Sequence, residues 1–313
     1  MKKNNLTGVI LCAGKATRIS KLPFKKPKMF LEILGKPIIE YQIEYLIKLG
    51  IKNYIIVHGK NSGYLKNFVK QKKYSKLNLK FIYDKKPMGI GNSLNKIRRH
   101  IKNPFILFLG DIFAINLNIK KMLKSFYKNK SSCEIGCTLE KDKEKIRKNF
   151  SIFVKNNKVQ KVIEKPQRIQ TNIKGIGIYI FTMDVFNSIK KIKNRLNKYK
   201  ELGITEVIQN LIDSEKTVTS SRCVSYDYNI NEPKDLLKIN YRQLKKFNKK
   251  NYINKSCKIK KNVKIKNSIV GPNVIINENV FIENCIILSN TIIKKNTIFK
   301  KKIITENGYF NYA

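Results

Sequence analysis

The sequence predicts an α/β fold, with a mostly parallel sheet covered by helices and a short parallel β-helix after it. The first observation is an alternation of short apolar runs with segments of helical period from Thr7 to about Asp111, which is typical of parallel sheets. The second is a change of texture near Asn251, after which apolar residues recur at short fixed steps without a helical period.

The first strand, Gly8–Leu11, runs directly into a turn of small residues, Ala13 and Gly14. Small residues allow a phosphate to approach backbone N–H groups. Downstream, Arg18 offers a planar fork of donors, and Lys28 offers a compact positive charge. This order of parts predicts a triphosphate site, although a strand and turn with ordinary surface cations would look similar.

The next segment, residues 37–50, has the apolar stripe of a helix and stops at Gly50. Its stripe consists of Ile38, Ile39, Tyr41, Ile43, Leu46 and Ile47. In open sheets of this class, ligands bind beyond the carboxyl ends of the strands. Gly14, Asp84 and Asp111 are all expected at such ends.

Asp111 follows Leu109 and Gly110 at the end of an apolar run. A carboxylate at this position is suited to Mg²⁺, which takes a few carboxylate ligands together with water and phosphate oxygens. Asp is also common as a loop cap. Taken alone, the residue fits both interpretations.

The C-terminal segment aligns on itself with a period of seventeen residues. The columns are Ile259, Ile276 and Ile293, then Ile265, Ile282 and Phe299, then Val270, Ile287 and Ile304. Three inward positions per repeat predict a three-sided parallel β-helix, although isoleucine is abundant enough for a chance pattern. We expect a catalytic domain over residues 1–240, a linker over 241–252 and the β-helix, of hexapeptide type, over 253–313.

The net charge of +45 would normally favour a nucleic-acid or membrane partner. Only eight of the 66 basic residues are arginine, and the lysines are spread along the whole chain. Clustered arginines interleaved with aromatic residues are absent from the sequence, so we expect no nucleic-acid partner. The positive field could still steer anionic substrates.

The six cysteines are scattered, without a CxxC pair, and the N-terminal apolar stretch is too short for a signal core. No apolar run reaches membrane-spanning length. We therefore expect a cytoplasmic protein without membrane insertion.

Seven motifs follow one another in a characteristic order. They are Leu11–Arg18 with Pro27–Lys28 and Gly35–Pro37, then Pro87–Gly91, Leu109–Asp111, Glu164–Pro166, Gly177–Tyr179, ELGITEVIQ from Glu201 and YDYNINEPKDLLKIN from Tyr226. Together they resemble the sugar-1-phosphate nucleotidyltransferases, or nucleotide-sugar pyrophosphorylases, over nearly the whole chain. The nearest likeness is to long glucose-1-phosphate thymidylyl- and uridylyltransferase forms with a C-terminal left-handed β-helix.

The resemblance implies a Rossmann-like domain with a mixed, mostly parallel sheet. It also implies a reaction in which a sugar 1-phosphate oxygen attacks the α-phosphorus of a nucleoside triphosphate and releases pyrophosphate. The nucleophile is already an anion, so positioning and charge neutralisation carry the catalysis. The implied cofactor is Mg²⁺, the implied partners are the two substrates, and we expect self-association into a homo-oligomer.

The resemblance assigns a role to each matching position. The catalytic pair is Arg18 and Lys28. The nucleotide side consists of Leu11, Cys12, Ala13, Gly14, Asp84 and Gly89. The sugar-phosphate side consists of Ser151, Glu164, Lys165 and Gly175. The metal side consists of Asp111 and Asn229.

Several positions depart from the family pattern. Ala13 and Ala16 stand where glycines are common, and Asn229 replaces an aspartate, which removes a negative charge. Asp84 stands where enzymes that use uracil or thymine often carry glutamine. A carboxylate only accepts hydrogen bonds and suits the donor edge of guanine, whereas the ELGITEVIQ segment resembles thymidylyl- and uridylyltransferases.

Glucose 1-phosphate with dTTP or UTP is therefore the preferred substrate pair, and mannose- or heptose-1-phosphate guanylyl transfer is the alternative. A phosphocholine cytidylyltransferase is a further alternative, because IEYQIEYLIKLGI resembles the corresponding helix there. A non-catalytic nucleotide-sugar sensor and a basic nucleic-acid-binding protein are the alternatives from other classes. A second, acyl-transfer centre in the tail is not expected, since both histidines, His58 and His100, lie in the first half of the chain.

Overall fold

The computed structural model describes residues 6–14, 19, 21–60, 62–195 and 201–312. Among them the chain forms two compact units. The first unit spans Met1–Gly14 and Gln42–Asp227, and the second spans Lys15–Tyr41 and Tyr228–Ala313, in each case through the described residues. Each unit is described by itself.

The strands and helices alternate through the first two thirds of the chain, and short strands fill the last third. In chain order the strands are β1 Thr7–Cys12, β2 Glu32–Ile33, β3 Lys36–Pro37, β4 Asn53–His58, β5 Asn78–Tyr83, β6 Phe105–Leu109, β7 Ile112–Ile115, β8 Cys133–Leu139, β9 Phe150–Lys155, β10 Lys158–Glu164, β11 Ile173–Phe181, β12 Val218–Arg222, β13 Tyr226–Asn229, β14 Tyr252–Ile253, β15 Lys258–Ile259, β16 Lys264–Lys266, β17 Ile269–Val270, β18 Ile275–Ile276, β19 Phe281–Glu283, β20 Ile286–Ile287, β21 Ile292–Ile293, β22 Ile298–Lys300, β23 Lys302–Thr305 and β24 Gly308–Asn311. The α-helices are α1 Ile38–Ile47, α2 Ser62–Val69, α3 Ile90–Ile97, α4 Ile119–Lys128, α5 Lys143–Arg147, α6 Asp184–Arg195, α7 Ile204–Asp213 and α8 Pro233–Lys246.

The main sheet of the first unit has the order β10-β9-β11-β6-β1-β4-β5, with β8 between β11 and β12. Strands β6, β1, β4 and β5 run parallel to one another. Strand β11 runs antiparallel to β6 and β8. The prediction of an α/β fold with a mixed, mostly parallel sheet is confirmed.

The central parallel strands β1, β4 and β6 are largely apolar and buried, as expected for strands inside a parallel sheet. Val9 and Ile10 of β1 and the first four residues of β6 are buried. Gly8 leaves room for α1, since a Cβ atom there would lie 2.6 Å from a methyl carbon of Leu46. The predicted stop after α1 is confirmed, because Gly50 has φ of 78° and donates to the carbonyl of Ile47 at 2.8 Å.

The short strands of the second unit form three parallel ladders with one constant register. Ile259 pairs with Ile276 and Ile276 with Ile293, so the register of the first predicted column is confirmed. The predicted inward position is wrong at Ile259, which is 42% exposed in the first repeat of this column. The columns that begin at Ile265 and Val270 are confirmed in the same way. We call Tyr252–Asn311 the repeat tail, and β24 ends it by pairing antiparallel with β23.

Asparagines occupy many turns of the repeat tail because they tolerate the left-handed backbone region. Asn262, Asn279 and Asn296 have φ between 55° and 58°. Their side chains form a ladder, with amide nitrogen to oxygen distances of 3.1 and 2.9 Å.

Helix α8 begins at a reciprocal cap between Glu232 and Asp235, with Pro233 at its first position. It continues to Lys246, six residues into the segment 241–252 that the sequence suggests as a linker. Gln243 and Leu244 are buried in this stretch. The domain limits stay a prediction. No helix among the described residues combines the length and the hydropathy needed to cross a membrane.

Candidate active site

The carboxyl ends of β6 and β1 lie side by side in the first unit. Leu109 is paired with Leu11, and the N–H of Gly110 donates to the carbonyl of Leu11 at 2.9 Å. A Cβ atom on Gly110 would lie 2.5 Å from the sulfur of Cys12, so a glycine is needed for this approach. The strand order therefore brings Asp111 next to the small-residue turn.

Gln42 of α1 supports the turn that carries Asp111. Its side-chain nitrogen donates to the carbonyls of Leu109 and Ile112, both at 2.9 Å, and the side chain is buried. These bonds fix the backbone on both sides of Asp111. Sequence reasoning missed Gln42, because it resembles any polar residue on a helix and its partners lie far along the chain.

Burial raises the pKa of the Cys12 thiol, and the negative charge of Asp111 raises it further. The thiol is therefore neutral at physiological pH and no nucleophile. Asp111 therefore lies close enough to Cys12 for its charge to act on that thiol. A cation bound there would meet this negative charge.

The turn after β1 is closely packed on one side, and among the described residues no atom crowds Gly14 on the other. A Cβ atom on Gly59 would lie 3.2 Å from the carbonyl oxygen of Ala13, whereas one on Gly14 would meet no described atom within 4 Å. This open space suits the approach of a ligand to backbone N–H groups. Arg18 and Ala16, which the sequence also singles out, lie outside the described residues.

Asp84 follows β5 and is buried, as expected for a residue at a strand end. One carboxylate oxygen accepts from the Ser93 hydroxyl at 2.8 Å, and the other pairs with the ammonium of Lys96. Both partners belong to α3. The carboxylate therefore anchors this helix to the sheet, and its contact with a base stays a prediction.

The loop before α3 is held by the ELGITEVIQ segment. The N–H of Gly91 donates to the carbonyl of Leu202 at 2.9 Å. In return, the N–H of Leu202 donates to the carbonyl of Met88 at 3.1 Å. Gly89 has φ of 88°, and a Cβ atom there would lie 2.3 Å from the Leu202 carbonyl oxygen. Two motifs that are far apart in the sequence thus form one structure around Gly89.

The predicted sugar-side residues come together where β9, β10 and β11 meet. Ser151 is buried and pairs with Ile163 of β10 and Lys174 of β11. A Cβ atom on Gly175 would lie 1.8 Å from the Phe150 ring, so the ring requires a glycine there.

Lys165 lies beside this group in the left-handed region, with φ of 42°, and its N–H donates to the carbonyl of Asn149 at 2.7 Å. Such backbone strain clusters at functional sites.

Glu164 ends β10 and lines a cleft of about 530 Å³ that includes Thr205 and Gln209 of α7. One of its carboxylate oxygens accepts from the Thr205 hydroxyl at 3.3 Å. Partial desolvation raises the pKa of the Glu164 carboxyl, against the effects of Thr205 and Lys165. The carboxylate is therefore placed to accept from hydroxyl groups.

An ion pair that sequence reasoning missed lies at the end of the same strands. Lys174 and Asp227 are 3% and 4% exposed in their side chains, and the ammonium lies 2.8 and 2.9 Å from the two carboxylate oxygens. Burial raises the pKa of Asp227, and Lys174 opposes this shift. Lys174 precedes Gly175, and Asp227 lies two residues before Asn229, so the pair joins a predicted sugar-side strand to the strand of the predicted metal side.

Lys28 and Asn229 belong to the second unit. Lys28 begins a 3₁₀ turn, Lys28–Phe30, and its ammonium donates to the side-chain oxygen of Asn231 at 3.4 Å. Asn231 is a further residue that sequence reasoning missed. Its N–H donates to Asp235 at 2.9 Å, so the cap of α8 holds the loop that faces Lys28.

The side-chain oxygen of Asn229 is buried, and none of the described residues donates a hydrogen bond to it. A buried oxygen without a partner costs about 1–3 kcal/mol. Amide oxygens are ligands that Mg²⁺ accepts. This residue therefore fits a metal ligand, whereas within the described part of the chain no group of three His, Cys, Asp or Glu side chains could hold a metal by itself.

Comparison with known families identifies two regions of the chain. Residues 7–245 match the family model described as nucleotidyl transferase, and residues 247–311 match the one described as the GMPPB C-terminal domain. The first match covers most of the chain.

The chain is also similar to individual proteins. It is 28% identical over 236 residues to the UTP–glucose-1-phosphate uridylyltransferase AglF of Haloferax volcanii, covering 74% of this chain and 93% of the relative. It is 28% identical over 235 residues to a bifunctional sugar-1-phosphate nucleotidylyltransferase/acetyltransferase of Sulfurisphaera tokodaii, covering 74% of this chain and 54% of the relative. The match thus spans about half the length of the bifunctional relative.

A solved structure of a UDP-glucose pyrophosphorylase complexed with UDP-glucose has the same fold, with a TM-score of 0.66 and 22% identity over 77% of this chain and 99% of the other. The relatives that the chain matches are named as sugar-1-phosphate nucleotidyltransferases. The chain therefore belongs to the nucleotidyl transferase family and is an enzyme.

Proposed function

We propose that this enzyme joins a nucleoside triphosphate to a sugar 1-phosphate with the help of Mg²⁺ and releases pyrophosphate. The observation that carries the proposal is the pairing of Leu109–Asp111 with Leu11–Gly14 at the carboxyl edge of the sheet. It sets a carboxylate beside a turn of small residues, where no described atom crowds Gly14.

In this proposal the open turn at Gly14 takes the phosphates, and Lys28 neutralises charge near the reacting phosphorus. Arg18 holds the leaving pyrophosphate. Glu164 accepts hydrogen bonds from sugar hydroxyls, and Lys165 binds the sugar phosphate. None of these residues has to act as a general base, because the attacking oxygen is already anionic.

Asp111 and Asn229 would hold Mg²⁺, which when bound neutralises the charge on the nucleotide phosphates. The buried oxygen of Asn229, which accepts no hydrogen bond from any described residue, supports this role. An amide contributes less charge than the aspartate that is common at this position. We therefore expect weaker metal binding than with an aspartate.

Glucose 1-phosphate with UTP or dTTP is the substrate pair that we propose first. The similarity to AglF, named for uridylyl transfer to glucose 1-phosphate, supports this pair. The alternative of guanylyl transfer rests on the Asp84 carboxylate as an acceptor for the donor edge of guanine. Ser93 and Lys96 each bond one of its oxygens, and Asp84 is only 1% exposed, which weakens the reason for that alternative.

We further propose that the repeat tail is a left-handed parallel β-helix. The ladders with a shared seventeen-residue register support a three-sided solenoid. The catalytic domain over 1–240, the boundary near 253 and assembly into a homo-oligomer belong to the same proposal.

A substrate panel tests the function. Purified protein is mixed with each of the common nucleoside triphosphates and with glucose, mannose and heptose 1-phosphates, and pyrophosphate release is recorded with and without Mg²⁺. We expect the highest kcat/KM with glucose 1-phosphate and UTP or dTTP, and no turnover after chelation of the metal. Activity with phosphocholine and CTP alone, or no turnover across the panel, would overturn the proposal.

A further inference from the structure

Residues 22–37 form the segment that carries Lys28. Within the second unit this segment lies against one edge of the repeat tail. Three turns of the tail contact it, at Gly271–Pro272, at Ser289 and at Thr305–Gly308. The strands before these turns are in register, since Val270 pairs with Ile287 and Ile287 with Ile304. The contacts therefore come from the same corner of successive repeats.

Glu32 of β2 makes the central contact. It is 4% exposed, one carboxylate oxygen accepts from the N–H of Ser289 at 3.0 Å, and the other accepts from the Ser289 hydroxyl. A Cβ atom on Gly271 would lie 2.8 Å from the carboxylate, so this corner accommodates Glu32 only because residue 271 is a glycine.

Burial raises the pKa of Glu32, while Ser289 and Lys26 oppose the shift and Glu306 adds to it. Burying a carboxylate is costly unless hydrogen bonds replace water. An apolar side chain would fill the same space at a lower desolvation cost. The chemistry of Glu32 thus points to a requirement for one defined position.

The backbone of Glu32 is held from a second side by α8. The side chain of Asn240, which is fully buried, donates to the carbonyl of Glu32 at 3.0 Å and accepts from the N–H of Leu34 at 2.8 Å. The strand is therefore fixed by α8 through its backbone and by the tail through its side chain.

Outer contacts anchor both ends of the segment. The Thr305 hydroxyl donates to the carbonyl of Pro23 at 2.5 Å, and Lys26 pairs with Glu306 at 3.5 Å. At the other end Gly35 has φ of 69°, and a Cβ atom there would lie 2.9 Å from the ring of Pro272. Lys28 lies between these anchors in the sequence.

We propose that Glu32, acting through Ser289, is a positioning residue for Lys28, so that the repeat tail holds the phosphate-side segment in its working conformation. The proposal rests on the proposed function for the role of Lys28 itself. The link is short, because the N–H of Leu31 donates to the carbonyl of Lys28 at 3.0 Å and Met29 and Phe30 are buried. Fixing Glu32 therefore fixes the end of the turn that begins at Lys28.

The test compares Ser289→Ala, Glu32→Gln and the double variant with Glu283→Gln. Glu283 is the control because it forms an ion pair with Lys300, at 3.6 Å, within the repeat tail. Misplacement of a group that contacts the reacting phosphates lowers kcat more than it raises KM. We expect about a ten-fold loss of kcat in each single variant, no larger loss in the double variant, and wild-type kcat in Glu283→Gln.

Hydrogen exchange of the backbone amides in residues 22–37 gives a readout that does not depend on turnover. We expect faster exchange in Ser289→Ala and Glu32→Gln and none of this acceleration in Glu283→Gln. Unchanged exchange, or wild-type kcat in both single variants, would overturn the positioning role. Faster exchange in the variants of a protein that is inactive with every substrate pair would instead overturn the proposed function.

Discussion

At the scale of single residues, local chemistry predicted the strand-end residues but not their supports. Asp111 could be predicted because an apolar run ends there in a carboxylate. Gln42 and Asp227 could not, since their partners are separated from them by 67 or more and 53 positions. Hydrogen bonds between distant residues leave no local pattern in one sequence.

The buried pair of Lys174 and Asp227 leads to a prediction about stability. Lys174→Met leaves the Asp227 carboxylate buried without its cation, and we expect a loss of about 3–5 kcal/mol in the free energy of unfolding. The double variant Lys174→Met/Asp227→Leu removes both charges and should recover most of that loss. Urea unfolding measures both, and a double variant as unstable as the single one would contradict the account.

The same pair predicts a pH dependence. Since burial raises the pKa of Asp227, the folded state binds the proton more tightly than the unfolded state. The contribution of Asp227 to the free energy of unfolding therefore falls as the pH rises. The fall begins near the ordinary carboxyl pKa of about 4 and ends above the raised pKa of the folded state. Asp227→Asn should remove that part of the slope in urea unfolding at several pH values, and an unchanged slope would refute the assignment.

At the scale of elements, periodicity in the sequence predicted the strands and the repeat tail. The contacts between motifs that are distant in the sequence became visible only in the structure. The tail columns were predictable because each repeat pairs with the next at the same spacing of residues. The hydrogen bond between Gly91 and Leu202 was not predictable, because it joins the first turn of α3 to a loop far along the chain.

Gly89 provides the matching prediction for this loop. In Gly89→Ala the new Cβ atom would meet the Leu202 carbonyl, and φ is 88°, so we expect a loss of about 1–3 kcal/mol and weaker nucleotide binding. Gly63→Ala is the control, since that helical position is exposed and no described atom lies within 4 Å of the new carbon. It should be neutral or stabilise by about 0.5–1 kcal/mol. Thermal unfolding and nucleotide titration distinguish the two.

At the scale of the whole molecule, the order of motifs along the chain predicted the family, which the match over residues 7–245 confirms. The sequence also predicted a separate tail, but not the contacts that the tail makes with the segment of Lys28. Nothing in the sequence distinguishes Glu32 from an ordinary exposed carboxylate, because its partner Ser289 lies 257 positions away. The net charge of +45 was the least informative feature for function, because it follows from the lysine-rich composition and indicates no particular partner.

The central claim is that the carboxyl edge of the sheet at Asp111 is the active site. Pyrophosphate release by wild-type protein, Asp111→Asn and Glu144→Gln, with UTP or dTTP, glucose 1-phosphate and Mg²⁺, tests it most directly. Glu144 is an exposed carboxylate on α5 and serves as the control. We predict a loss of about 100-fold or more in kcat/KM for Asp111→Asn with unchanged thermal unfolding, and wild-type activity for Glu144→Gln. Full activity of a folded Asp111→Asn variant would contradict the account.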